Sequence, residues 1–131
     1  MGFWDLFTSK EKKAKLSHLK NLVVLSLADG KVEKTELAAI ASVMSREGLT
    51  EDDLQKCLEN PGDIKFVAPD TDATKLRYIS DMVMLMMVDG DLDDKEFVLC
   101  KATAEALGYR HEVVDAMILG IVAKIKESLN H

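Results

Sequence analysis

The sequence is poor in the residues that interrupt or cross-link a fold. Its 131 residues include two prolines, seven glycines and two cysteines, and aromatic residues make up only 5%. So few turn-forming and aromatic residues argue against a β-sandwich or barrel, and two cysteines are too few for a disulfide framework. Apolar residues (47%) and charged residues (31%) dominate instead. This balance is typical of a soluble globular protein with one core.

Long apolar runs and an excess of positive charge are also missing. The longest apolar run, MVMLMMV at 82–88, is far shorter than the roughly 20 residues that cross a bilayer. The opening MGFWDLFTSKEKKAKL has no basic segment followed by a long apolar one, as a secretory signal would. The formal charge of −6 argues against nonspecific nucleic-acid binding, which needs clustered Lys and Arg. We therefore expect a cytoplasmic protein that does not bind nucleic acid.

Charge is distributed unevenly along the chain. Residues 1–20 carry a local charge of +3, and residues 80–96 carry −5. Such asymmetry indicates two surfaces with different partners.

The basic end begins with an amphipathic turn over residues 1–10, in which Phe3, Trp4 and Phe7 fall near one helical face. Two interpretations remain open for these aromatic residues. They dock onto the bundle or onto another subunit, as in a homodimer, or they contact an anionic membrane surface.

The chain repeats itself at an interval of sixty residues without a gap. Both the turn or capping residues and the apolar residues match: Leu25 with Leu85, Asp29 with Asp89, Gly30 with Gly90, Glu36 with Glu96, Gly48 with Gly108 and Leu58 with Ile118. Matches of both kinds indicate a duplicated supersecondary unit.

Apolar spacing near 3.6 residues, together with cap and stop residues, predicts that each unit is helical. The predicted fold is all-α, a single-domain bundle of about six to seven helices built from two pseudo-symmetric halves, residues 11–60 and 71–128, joined by a linker at 61–70. The same signals predict helices over about residues 11–28, 51–59, 72–88 and 111–128. The domain as a whole spans residues 11–131.

Two acidic turns, ADGKVEKTE at 28–36 and VDGDLDDKE at 88–96, connect the first two helices of each half. They have two interpretations. In one, Asp-Gly ends a helix, and Glu33 with Glu36, or Asp93 with Glu96, caps the next. In the other, the crowded carboxylates bind a divalent cation such as Ca²⁺ or Mg²⁺. An EF-hand is excluded, because leucine or methionine occupies its first and third ligand positions.

These turns, the apolar helices that run into them and the spacing between them resemble the TerB-like family. That family comprises helical domains named after a tellurite-resistance protein and also found at the N-terminus of a membrane-associated DnaJ-type co-chaperone. The resemblance covers residues 12–128. It implies a pseudo-symmetric, non-enzymatic domain that is associated with stress and tellurite phenotypes and has acidic residues proposed to bind metal. The metal ligands that it implies are Asp29, Glu33, Glu36, Asp89, Asp91, Asp93 and Glu96. A His-Pro-Asp motif is absent, so a co-chaperone role does not transfer.

No catalytic pattern is present, since the three histidines are scattered and there is no phosphate loop or nucleophile elbow. Cys100 replaces Ile40 of the first half and is predicted to be buried and apolar. The sequence therefore predicts a non-enzymatic interaction domain whose acidic end recruits a divalent cation or a basic protein partner. It indicates no other cofactor. The alternative is a peripheral membrane adaptor that uses Phe3, Trp4 and Phe7 with the following lysines.

Overall fold

The structure, a computed structural model, describes residues 9–28, 32–88 and 94–129, and every regular element in these ranges is helical. The elements are α1 (Lys10–Leu27), α2 (Lys34–Glu47), α3 (Glu51–Glu59), a 3₁₀ turn (Pro61–Asp63), α4 (Asp72–Met87), α5 (Asp94–Ala106) and α6 (His111–Leu129). The predicted all-α bundle of two repeated halves is confirmed. The helix bounds predicted from apolar spacing agree within one residue.

Short polar side chains begin three of these helices. Ser9 accepts a hydrogen bond from the Lys12 amide at α1, and Thr71 accepts one from the Thr74 amide at α4, both at 3.1 Å. Thr50 and Asp53 form a reciprocal capping box at α3. Each cap satisfies backbone N–H groups that have no partner within the helix, which explains why these bounds were predictable.

Glycines in the left-handed region follow the second helix of each half. Gly48 has φ +70° and Gly108 has φ +107°. In both places the next amide reaches back to the helix, from Leu49 to the Met44 carbonyl and from Tyr109 to the Ala104 carbonyl. The repeat is therefore preserved in the backbone geometry of its turns.

The first helices of the two halves, α1 and α4, lie side by side and run in the same direction. Near their beginnings, Lys10 forms an ion pair with Asp70. Eight residues further along each helix, the rings of His18 and Tyr78 stack with centroids 3.8 Å apart. Because equivalent positions meet at both levels, the pseudo-two-fold axis runs between α1 and α4 along their length.

The core surrounds this central pair. Equivalent residues of α1 and α4 are almost fully buried, and α2 and α3 pack on α1 as α5 and α6 pack on α4. The buried pairs are Leu19 with Ile79, Leu22 with Met82, Val23 with Val83 and Leu25 with Leu85. Cys100 is fully buried in this cluster, as predicted from its alignment with Ile40.

The halves differ in their third helices. α3 ends at Glu59, whereas α6 continues to Leu129. Leu58 is accordingly 51% exposed, while its counterpart Ile118 is fully buried. The alignment predicts equivalent environments for these two residues, and for Leu58 this prediction is wrong.

The linker after α3 crosses the surface of α1. The Lys20 ammonium donates to the Ile64 carbonyl at 2.7 Å, and the Val67 amide donates to the Ser17 hydroxyl at 3.1 Å. Ile64 packs on the core, whereas Phe66 is largely exposed. Among the described helices, none is long and apolar enough to cross a membrane.

Candidate functional site

The two acidic turns follow the ends of the two central helices. α1 ends at Leu27 and α4 ends at Met87. Because α1 and α4 run in the same direction, these ends lie at the same end of the molecule, which we call the acidic end (the regions after Leu27 and Met87, with Glu33, Glu36 and Glu96). Four predicted ligands, Asp29, Asp89, Asp91 and Asp93, lie outside the described residues, as do Phe3, Trp4 and Phe7.

The predicted ligands that are described have a capping geometry in the first half. The Glu36 carboxylate accepts a hydrogen bond from the Glu33 amide at 3.1 Å, and the two residues form a capping box at the start of α2. Glu36 is only 2% exposed, and its counterpart Glu96 is buried as well. A buried carboxylate needs polar partners, so both halves position an acidic group at an equivalent place beside the acidic end.

Within residues 9–28, 32–88 and 94–129, no three His, Cys, Asp or Glu side chains lie close enough together to hold a metal ion. The metal hypothesis therefore depends on the carboxylates of the turns themselves. Glu33, Glu36 and Glu96 alone do not form such a site.

The structure also reveals a polar cluster that the sequence did not predict. It joins the middle of α1 and of α4 to the C-terminal end of α2, and its members are His18, Arg46, Glu47, Arg77, Tyr78 and Asp81. The Asp81 carboxylate is its centre: it faces His18 Nε2 at 2.8 Å and receives both Arg46 amino groups, at 2.9 and 2.5 Å. On the other side of the cluster, Arg77 donates to Glu47 at 3.1 Å.

Burial and pairing change the protonation of this cluster. Burial lowers the pKa of His18, although the hydrogen bond and charge of Asp81 oppose the effect. Burial raises the pKa of Asp81, but hydrogen bonds from Arg46 and His18 outweigh it and hold that pKa below its usual value. At neutral pH the cluster therefore contains a neutral imidazole donating to an ionised carboxylate.

The geometry of the cluster favours a structural role. Its charges pair with one another across three helices, and no Ser, Thr or Cys side chain is hydrogen-bonded to His18 among the described residues. The carboxylates of Glu47 and Asp81 are largely buried and both arginines are partly exposed, so these pairs join α2 to α4 at the edge of the core. Helical spacing alone indicates that His18 is buried, because it lies four residues before Leu22 on the buried face of α1.

Two cavities flank the cluster. An open apolar groove of about 500 Å³ lies between α2, α4 and the end of α6, with Val43, Leu76 and Ile121 in its walls. A smaller pocket of about 240 Å³ lies between the N-terminal halves of α1 and α4. We call the second the axial pocket; its walls include Lys10, Glu11, Lys15, Thr71, Arg77 and Tyr78.

The methionines of α4, His111 and the two cysteines are further side chains that could act as ligands or nucleophiles. Met82 and Met86 fill the core while Met84 is 43% exposed, so the methionines of α4 spread around the helix and do not converge on one ion. His111 is exposed and pairs with Glu105 at 2.5 Å. Burial raises the pKa of Cys57 to about 11 and that of Cys100 to about 12, so neither is an activated thiol.

No protein-family model, curated protein or solved structure matches the chain. The relation to the TerB-like family therefore stays a prediction from the two turns and their spacing.

Proposed function

We propose that this chain is a non-enzymatic, cytoplasmic interaction domain of the TerB-like kind, whose acidic end binds a divalent cation such as Ca²⁺ or Mg²⁺. The observation that carries the proposal is the common direction of α1 and α4. It puts the C-terminal ends of α1 and α4 at one end of the molecule, and the two acidic segments follow these ends in sequence, sixty residues apart.

Electrostatics supports a cation at this end. The C-terminal ends of α1 and α4 both carry the negative end of a helix dipole, and no basic residue lies in the last turn of either helix. The carboxylates that follow add to this negative potential, and oxygen-rich acidic sites suit hard divalent cations. The cation would relieve repulsion between the carboxylates and so link the two halves. A basic protein partner would use the same negative potential.

Calorimetric titration with Ca²⁺, Mg²⁺, Mn²⁺ and Zn²⁺ tests the proposal. We expect saturable heat with at least one ion, and we expect it to disappear in the variant Asp89→Asn/Asp93→Asn. The matched control is Glu51→Gln/Asp52→Asn, which removes two exposed acidic charges from the first turn of α3. Absence of heat at millimolar ion, or equal loss in the control, would contradict cation binding at the acidic end.

A peripheral membrane adaptor is the competing proposal. It is favoured by the position of Lys10, Lys12 and Lys15 in the first two turns of α1, directly after the aromatic segment. Sedimentation with anionic vesicles separates the two proposals. The adaptor requires binding that disappears in the variant Phe3→Ser/Trp4→Ser/Phe7→Ser, whereas the interaction domain requires cation binding that this variant retains.

A further inference from the structure

The end of the molecule opposite the acidic end contains a pocket with the properties of an anion site. This is the axial pocket, which lies between the first turns of α1 and α4. Lys10 and Leu27 mark the two ends of α1, about 25 Å apart at the helical rise. The pocket is therefore independent of the proposed cation site.

Positive potential converges on this pocket from two helices. α1 and α4 run in the same direction, so the positive ends of both dipoles lie here. Three cations line the pocket, Lys10, Lys15 and Arg77, against two carboxylates, Glu11 and Asp70. Each cation already has an acidic partner: Lys10 pairs with Asp70, Lys15 with Glu11 at 3.3 Å, and Arg77 with Glu47 at 3.1 Å.

A buried hydroxyl supplies a second and independent indication. Tyr78 lines the pocket and is only 4% exposed, yet its hydroxyl has no hydrogen-bond partner among the described residues. In the part of the chain that the structure describes, two buried side-chain hydroxyls are both unpartnered and sealed from solvent, those of Ser26 and Tyr109. The Tyr78 hydroxyl is not among them, so it is reachable by solvent, and Tyr78 is one of the residues that line the axial pocket.

The chemistry of Tyr78 suits a donor to an anion. Its ring is held flat against His18, at an interplanar angle of 6°. Burial, with a contribution from the Glu47 carboxylate, raises the pKa of Tyr78 to about 12. The hydroxyl therefore stays protonated at neutral pH and donates a hydrogen bond from a fixed position. No described residue accepts this hydrogen bond, so an anionic oxygen in the pocket can take the place of solvent as its acceptor.

We propose that the axial pocket binds a phosphate-type anion, with the Tyr78 hydroxyl and the Lys15 ammonium as its main ligands. A phosphate group accepts several hydrogen bonds and suits the positive end of a helix. Lys10 and Lys15 exchange their exposed ion pairs for the phosphate at small cost, because exposed pairs contribute little. The source of the group is either a soluble phosphate or a phospholipid headgroup.

Titration with inorganic phosphate at constant ionic strength, followed by amide chemical shifts, tests the proposal. We expect saturable shifts around residues 14–15 and 74–78. Tyr78→Phe removes the hydroxyl and keeps the ring, and we expect it to weaken binding roughly tenfold, as for a lost hydrogen bond to a charged group. Lys15→Gln is expected to weaken binding roughly fivefold.

The chain offers a matched control for each variant. Tyr109→Phe removes a buried, unpartnered hydroxyl from a residue that does not line the pocket. Lys75→Gln removes the same charge at the position equivalent to Lys15 in the second half, where the side chain does not line the pocket. Both controls should bind phosphate like the parent chain. Equal weakening in a control and its partner, or no saturable shift at all, would overturn the proposal.

A second arm identifies the source of the phosphate. Vesicles of phosphatidylcholine with and without phosphatidylglycerol are sedimented with the parent chain and with Tyr78→Phe. Sedimentation that requires both phosphatidylglycerol and Tyr78 assigns the pocket to a lipid headgroup. Phosphate binding without Tyr78-dependent sedimentation assigns it to a soluble phosphate. Cation calorimetry at the acidic end should be unaffected by Tyr78→Phe, so failure of one site is distinguishable from failure of the other.

Discussion

The two halves use different chemistry where a second helix crosses a central one. α2 meets α4 through charged residues, whereas the equivalent positions of the α5–α1 contact are apolar or neutral. The pairs are Arg46 with Ala106, Glu47 with Leu107, Arg77 with Ser17 and Asp81 with Asn21. Leu107 and its counterpart Glu47 are both buried, although one is apolar and the other charged. Ser17 accepts a hydrogen bond from the Val67 amide of the linker, whereas its counterpart Arg77 donates to the Glu47 carboxylate.

This difference shows which interactions the fold requires. The second helix packs across the other half's central helix in both cases, α2 on α4 and α5 on α1, and what the two contacts share is the apolar surface of α1 and α4. Burial of that surface is therefore sufficient to pack the second helix. In the α2–α4 contact, stability also depends on each charged residue keeping its partner, because an unpaired charge in a buried position is unfavourable.

Loss of the central carboxylate should have the largest effect. Asp81→Ala leaves Arg46 and the buried His18 without their shared acceptor, and we expect it to lower the free energy of unfolding by about 3 kcal/mol. Asn21→Ala, at the equivalent position of α1, should lower it by about 0.5 kcal/mol or less. Urea denaturation measures both. Similar losses in the two variants would show that the polar cluster does not distinguish the halves.

The sequence predicted the helices well because their signals are local. Ser9, Thr50 and Thr71 cap α1, α3 and α4 through the residue three positions later. Gly48 and Gly108 follow the ends of α2 and α5, so each of these boundaries is encoded within one turn. The repeat then indicated that the two halves share one arrangement. Fold class and helix bounds were therefore accessible without any knowledge of tertiary contacts.

The polar cluster was not accessible in this way. Spacing places His18 on the buried face of α1, but its partner Asp81 is 63 residues away and on another helix. Periodicity identifies which side of a helix is buried and does not identify what a polar residue meets there. The axial pocket was missed for the same reason, since it exists only because α1 and α4 run in the same direction. The predicted ligands Asp29, Asp89, Asp91 and Asp93 stay a prediction.

The glycines that end α2 and α5 offer a second comparison of the halves. No atom lies within 4 Å of a Cβ built at either position, so the cost of alanine is purely conformational. At φ +70° Gly48 is within the left-handed region that alanine can adopt, and Gly48→Ala should cost about 1 kcal/mol. At φ +107° Gly108 is outside it, and Gly108→Ala should cost about 2 kcal/mol.

Thermal unfolding of both glycine variants measures this difference. The control is Gly62→Ala in the linker, where no positive φ is present and space is also open, and it should be nearly neutral. A larger loss for Gly48→Ala than for Gly108→Ala would mean that backbone geometry does not set the order of the two costs.

The smallest effect we expect is a pH dependence that belongs to the polar cluster. Burial lowers the pKa of His18 below the value of 6.5 that applies in the unfolded chain, despite the opposing hydrogen bond from Asp81. Between the folded and unfolded pKa values the unfolded chain binds more protons, so stability rises with pH there. The contribution is present above about pH 6.5 and is lost as the pH falls below it.

His18→Phe keeps a ring against Tyr78 but cannot titrate. Comparing it with the parent chain therefore isolates the contribution of His18 protonation to the pH dependence of stability. Urea denaturation between pH 7.5 and pH 5 should show a decrease for the parent chain that is smaller in His18→Phe. Asp81 does not confuse the comparison, because its pKa is held below the usual 3.8 and it titrates outside this range. An identical slope in His18→Phe would mean that the buried imidazole takes up its proton at the same pH in the folded and unfolded states. The polar cluster would then give the α2–α4 contact no pH dependence that the α5–α1 contact lacks.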